Sequence, residues 1–158
     1  MTAEEVIALL ELRPHPEGGS YRETFRSPYQ VDAPRGPRAA STAIWFLLRG
    51  GTFSAWHRVA SDEVGHHHAG APVVLHRLSD SGHEAVVLGS DLAAGQRPQV
   101  VIRAGIWQAA ACEGPGFALC GCTVAPGFDF ADFELAERVA LQARFPAHAA
   151  LVARFTRG

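Results

Sequence analysis

The chain has 158 residues, of which 47% are hydrophobic and 19% charged, and its mean hydropathy is near zero. That is the composition of a soluble globular protein, read as a single domain over residues 1–158, and it excludes disorder, which needs low hydrophobicity or high net charge. Fourteen basic against sixteen acidic residues, a net charge of −2, leave no broad basic footprint for nucleic acid.

The start, MTAEEVIALLEL, is acidic where a signal peptide would be basic. Thr2 and Glu5 have capping-box spacing, and Val6, Ile7, Leu9, Leu10 and Leu12 supply an apolar stripe, so a helix is predicted over 3–12, ended by Pro14. The segment HPEGGSYRETF turns on Gly18 and Gly19 and enters a strand in which Tyr21, Glu23 and Phe25 share one face. Residues 27–38, with Pro28, Pro34, Gly36 and Pro37, read as a loop.

From Ser41 short strands follow one another, at 41–48, 52–59, 63–68, 73–79, 83–89, 99–103, 107–112 and 117–124. Gly, Asp, Ser or Pro punctuates the gaps, and no helical pattern intervenes. This argues for an all-β antiparallel sandwich or barrel. Ala136 to Phe145 and Pro146 to Phe155 then carry helical periodicity, a pair expected to pack outside the barrel. The apolar run Ala43–Leu48 is far too short to span a bilayer, which points to a cytoplasmic protein. Cys112, Cys120 and Cys122 lack C-x-x-C spacing and read as small buried hydrophobes.

Gly51 to Gly70, GTFSAWHRVASDEVGHHHAG, holds half of the eight histidines beside Glu63. Imidazole and carboxylate together are what a metal site or an acid/base pocket requires. The stretch resembles the first motif of the cupin superfamily, G-x5-H-x-H-x3,4-E-x6-G, read as Gly51, His57, Val59, Glu63 and Gly70, with valine in place of one histidine. The second motif survives as Arg103-Ala104-Gly105-Ile106-Trp107-Gln108, with Gln108 where the last histidine ligand would stand. The blocks HPEGGSYRETFRS, STAIWFLL, WHRVASDE, LAAGQRPQ, AGIW and GCTVAPGFDFADFELA together resemble the cupin-5 family from about residue 9 to 146. The resemblance implies a double-stranded β-helix, the cupin jelly-roll barrel, related in fold to deoxysugar epimerases and seed storage proteins, and a homodimer. It implies no reaction.

Strand alternation puts Phe53, Ala55, His57 and Val59 on one face and Ser54, Trp56 and Arg58 on the other. On the next strand Glu63, Gly65 and His67 share a face opposite His66 and His68, unless a β-bulge after Asp62 exchanges them. His66 and His68 read as surface or dimer-interface residues. Three readings of the site stay open. In one, His57, Glu63 and His67 hold a divalent metal, zinc or iron, with Gln108 or water completing the shell. In the next, no metal is bound and His57, oriented by Glu63, transfers protons in the manner of a deoxysugar epimerase, with Tyr21, Tyr29 or Cys120 as the second acid. In the last, a storage-like or sensing dimer, His57 and Glu63 only hydrogen-bond a small ligand. Arg22, suited to a carboxylate or phosphate or to bracing the strand, joins Gln99, Trp107, Gln108 and Phe128 as candidate ligand-binding residues. Trp45 reads as core. The expected ligand is a small polar metabolite, a sugar derivative or nucleotide-like compound.

Overall fold

A computed structural model describes all residues 1–158. Glu5 N–H donates to Thr2 Oγ1 at 3.2 Å and Thr2 N–H to Glu5 Oε2 at 2.7 Å. These reciprocal bonds start α1 (Ala3–Leu10), which ends at Glu11 in the left-handed region with φ 53°. Then come β1 (Arg13–Pro14), β2 (Ser20–Arg26), β3 (Gln30–Ala33), β4 (Gly36–Ala39), β5 (Thr42–Arg49), β6 (Phe53–Val59), β7 (Asp62–Gly70), β8 (Val73–Ser79), β9 (Gly82–Leu88), β10 (Gln99–Ile102), β11 (Trp107–Ala111), β12 (Phe117–Ala125) and β13 (Phe133–Leu135). The chain closes with α2 (Arg138–Arg144) and α3 (Ala149–Arg154). No helix is long and apolar enough to cross a membrane.

Two antiparallel sheets face each other, one in the order β1-β2-β5-β12-β7-β10 and the other β13-β6-β11-β8-β9. This is the expected double-stranded β-helix. Phe46, Leu48, Val73, Leu75, Leu88, Val100, Ile102, Ala118 and Cys120 fill the space between the sheets at one end. The helices cover the outer faces. Ala3 and Val6 pack with Leu47 and Trp45 against the first sheet, while Leu141, Phe145, Val152 and Phe155 pack with Trp56, Leu78, Trp107 and Ala109 against the second. Trp56 is wholly buried there, and truncating it to Ala would cost about 3–5 kcal/mol.

The segment read as a loop over 27–38 contains the hairpin β3/β4, in which Asp32 stands opposite Pro37. Proline is tolerated because this ribbon pairs with no third strand. Arg38 on β4 donates to both oxygens of buried Asp132, at 2.7 and 2.9 Å. That bidentate pair ties the hairpin to the turn Phe130–Asp132, which carries aromatic side chains to the barrel mouth.

Candidate functional site

The site begins in the turn His15-Pro16-Glu17-Gly18-Gly19. Gly18 N–H donates to His15 O at 3.0 Å and His15 N–H to Gly19 O at 3.1 Å. Gly18 and Gly19 have φ of +109° and +73°, and a Cβ at Gly18 would lie 2.6 Å from the Phe53 carbonyl oxygen, so this close approach demands glycine. The Glu17 carbonyl accepts from Ala55 N–H at 2.7 Å and from the Arg157 guanidinium at 2.6 Å. Arg157 also donates to Phe53 O at 2.7 Å. The turn is therefore pinned to β6 and sends the Glu17 carboxyl into the barrel.

On β6 the register with β11 passes from His57 opposite Gln108 to Ser54 opposite Ala110, so β6 carries one extra residue. This bulge breaks the expected alternation. Ser54 joins His57 inside, and Phe53 goes outward to meet Phe155. Ser54 Oγ–H donates to Glu17 Oε1 at 2.9 Å. His57 Nδ1 lies 2.7 Å from Ala55 O, so Nδ1 carries the hydrogen, and Nε2 faces Glu17 Oε2 at 3.1 Å. Phe133 stacks on the His57 ring at 5.5 Å and 29°.

Burial controls the charge here. It raises the Glu17 carboxyl to about 8, against the opposing Ser54 bond and Arg157 charge. It raises Glu63 to about 7, opposed mainly by His57. Burial also holds His57 below its ordinary value, against Glu63 and the Ala55 carbonyl, and drops His15 to about 4. Near neutral pH Glu17 is therefore mostly a carboxylic acid, its Oε2 within reach of His57 Nε2 at 3.1 Å and 3.5 Å from His15 Nδ1, and Glu17 and His57 titrate as a pair. The Gln108 side chain also opposes burial at Glu63 and lowers its carboxyl.

These groups form the floor of a cavity of about 860 Å³, walled by Tyr21, Phe46, Phe128, Phe130 and Phe133. A second bulge shapes the opposite wall. Along β2 and β5, Glu23 pairs with Ile44 but Phe25 with Ala43, so Thr24 is the extra residue and its hydroxyl donates to Ala43 O at 3.2 Å. Phe25, expected on the face of Tyr21 and Glu23, points outward at 51% exposure, and Arg26 takes its place beside the cavity.

The profile of the family described as Cupin superfamily (DUF985) matches residues 4–136. The chain belongs to this family. A hypothetical protein from Leishmania major superposes on this DUF985 cupin with a TM-score of 0.93 at 33% identity, covering 100% of both chains. A protein from Shewanella oneidensis does so with a TM-score of 0.92 at 41% identity, over 99% of this chain and 98% of that one. Oxalate decarboxylase from Bacillus subtilis shares 12% identity over 90% of this chain and 36% of its own, with a TM-score of 0.58, a likeness of fold alone. No curated protein matches the chain.

The donor set of this DUF985 cupin does not fit the divalent metal that many cupin barrels imply. No group of three or more His, Cys, Asp or Glu side chains is placed to hold an ion. Val59 presents hydrocarbon to the cavity, and Gln108 brings an amide where the general cupin motif has imidazole. His67 stands in register with Cys120, on the inward side of β7, but its Nε2 meets Ala71 O at 3.1 Å and it lies apart from His57 and Glu63. The bulge in β7 falls at His68, past His67, so Glu63, Gly65 and His67 keep one face.

Of the other sequence candidates, Gln108, Arg22, Phe128 and Tyr21 line the cavity or its floor. Arg22 also pairs with Glu11 at 2.7 Å. Trp107 does not line it: its residue parity on β11 is opposite to that of Gln108, which turns it outward into the cluster under the C-terminal helices. Gln99 lies on edge strand β10 and bonds His66 on the outer surface, where His66 also meets Thr123. Tyr29 is 77% exposed on the hairpin, and Cys120 belongs to the apolar end. His15, Glu17, Ser54, Arg13 and Arg26 were not among the sequence candidates. The only signal for the first two was the HPEGG turn itself.

Proposed function

We propose that this DUF985 cupin binds a small polar metabolite, a sugar derivative or nucleotide-like compound, inside the barrel and moves a proton on it, as an isomerase or epimerase does. The observation that carries this reading is the Glu17 Oε2 to His57 Nε2 contact of 3.1 Å, with His57 Nδ1 already committed to Ala55 O. One nitrogen is left to take a proton, and the carboxyl beside it has one to give. A substrate carbonyl entering between them would receive the Glu17 proton on oxygen while Nε2 removes the proton from the adjacent carbon. The enol would form without net change of charge or oxidation state, and reversal of both transfers would regenerate the pair. Tyr21 lines the same cavity from the opposite sheet, where an acid for the other face of the substrate belongs.

The test is incorporation of solvent deuterium at carbon, followed by proton NMR across a panel of aldoses, ketoses and their phosphates. Both His57→Gln and Glu17→Gln should slow exchange about 10²- to 10⁴-fold without abolishing binding. Ligands that bind while no carbon-bound position ever exchanges would overturn proton transfer. That result would favour a second reading, a ligand-holding barrel, which draws on the protonated Glu17 and the half-protonated Glu63 as hydrogen-bonding groups. The homodimer belongs to the same proposal and is checked by light scattering.

A further inference from the structure

The rim of the cavity carries three arginines and three carboxylates, and their pairing is uneven. Arg22 donates to Glu11 at 2.7 Å. Arg26 holds Glu23 through two bonds of 2.9 Å and reaches Phe128 O at 3.0 Å. Asp129 accepts from Ala131 N–H at 2.8 Å. One charge of each sign is left over, Arg13 and Asp129: both line the cavity, and the Arg13 guanidinium takes part in none of the ion pairs or side-chain hydrogen bonds of the chain. Its direction follows from register, because Arg13 on β1 stands opposite Tyr21 on β2 and so shares the cavity-facing side of the sheet.

The floor has the opposite character. Burial keeps Glu17 largely protonated, Glu63 about half protonated and His57 uncharged near neutrality, so the inner end offers mostly neutral donors and acceptors, with the Ser54 hydroxyl and Gln108 amide among them. A negative charge would be poorly solvated there, whereas carbonyl and hydroxyl oxygens would be matched. Between floor and rim the aromatic wall, Tyr21, Phe128, Phe130 and Phe133, suits the flat or apolar face of a ring.

We propose that the cavity takes an organic anion whose phosphate or carboxylate is held at the rim by the free guanidinium of Arg13, with its neutral oxygen-bearing end on the floor by His57. This rests on the reading of the barrel as a metabolite site and narrows the class of metabolite. Arg22 and Arg26 are each matched by a carboxylate, Glu11 and Glu23, whereas Arg13 supplies the forked donor that an oxyanion accepts.

The experiment compares matched compounds by ligand-observed NMR and calorimetry: ribose 5-phosphate against ribose for the phosphate, and glucuronate against glucose for the carboxylate. One anion should bind and its neutral parent should not, and the pair that responds identifies the oxyanion. Arg13→Gln should weaken that anion about 10- to 100-fold, Arg13→Lys should recover part of the loss, and rising salt should weaken the wild type more than Arg13→Gln. Arg13 is exposed, so these variants are expected to keep the wild-type melting temperature. The proposal is overturned if the neutral parents bind as well as the anions, if no anion binds, or if Arg13→Gln leaves anion affinity unchanged. His57→Gln should retain anion binding. Retained binding with no deuterium exchange in the wild type would sink the proton-transfer reading and leave this one standing.

Discussion

The Arg157 guanidinium donates to the Glu17 carbonyl at 2.6 Å, so the last turn of the chain holds the first catalytic candidate in place. It bonds Phe53 O as well and lies 4.2 Å over the Phe53 ring, joining the glycine turn to β6. Arg157→Ala should cost about 1–2 kcal/mol, a fall in Tm of roughly 2–8 °C, because two charge-assisted bonds go at a partly exposed site. The effect on chemistry is separable from the effect on stability. Loss of the positive charge should move the Glu17 titration to higher pH, and Arg157→Lys should restore its position without restoring the full Tm. Carbon-13 NMR of labelled carboxyl groups reads the midpoint directly. A Tm loss with no movement of that midpoint would make Arg157 a structural brace only.

Gly18 supplies an independent check on the same joint. Its φ of +109° disfavours any side chain, and a Cβ would fall 2.5 Å from Arg157 Nη2 and 2.6 Å from Phe53 O. Gly18→Ala should therefore destabilise by more than about 1 kcal/mol and reproduce the altered Glu17 titration of Arg157→Ala. Chemical denaturation compares the two variants, and the double variant should fall short of the sum because both loosen one contact.

The pH dependence of stability follows from the buried carboxyls. Glu17 and Glu63 lie near 4.5 when unfolded and at about 8 and about 7 when folded. The native state therefore binds more protons between these limits. Their contribution is fully present below about 4.5 and is lost as pH rises through 7 to 8, so the protein should weaken toward alkaline pH. Glu17→Gln removes one such group, and its stability should fall less than that of wild type between about pH 5 and about pH 9, the difference being of order a few kcal/mol at most. Thermal denaturation across that range decides it. Parallel curves for the two proteins would mean that Glu17 is already ionised in the native state.

Much of the barrel was legible because strands and turns leave local marks. The capping box of Thr2 and Glu5, the eight central strands and the outer C-terminal helices all follow from spacing and punctuation. The hairpin β3/β4 was hidden by Pro34, Gly36 and Pro37, which read as breakers although Gly36 and Pro37 lie within a ribbon of only two strands. The site was less legible because parity fails at bulges. One extra residue near Ala55 brings Ser54 inside with His57, and one at Thr24 exchanges Phe25 for Arg26. Glu17 sits in a turn, where no periodicity assigns a face, and Arg157 reaches it only through the folding of the C-terminal helices. His57, Glu63 and Gln108 were found because the cupin spacing marks them.

The two departures from the cupin metal pattern make a constructive prediction. Val59 lines the cavity two residues after His57, and Gln108 stands directly across from His57 on β11. Glu63 is on the facing sheet beside them. Replacing both with imidazole, as Val59→His with Gln108→His, would complete a set of three histidines and one glutamate, which is a ligand complement for zinc or iron(II). The cavity has room for the larger side chain at 59. Protein purified without a histidine tag and then exposed to zinc should hold less than about a tenth of an equivalent as wild type and about one equivalent as the double variant, read by elemental analysis. Metal should also raise the Tm of the variant alone, since binding to the native state adds stability in proportion to the logarithm of free ion concentration. If the wild type instead takes up about one equivalent and His57→Ala loses it, then Glu17 and Glu63 must ionise to accept the ion, and the neutral floor derived from their burial would be wrong.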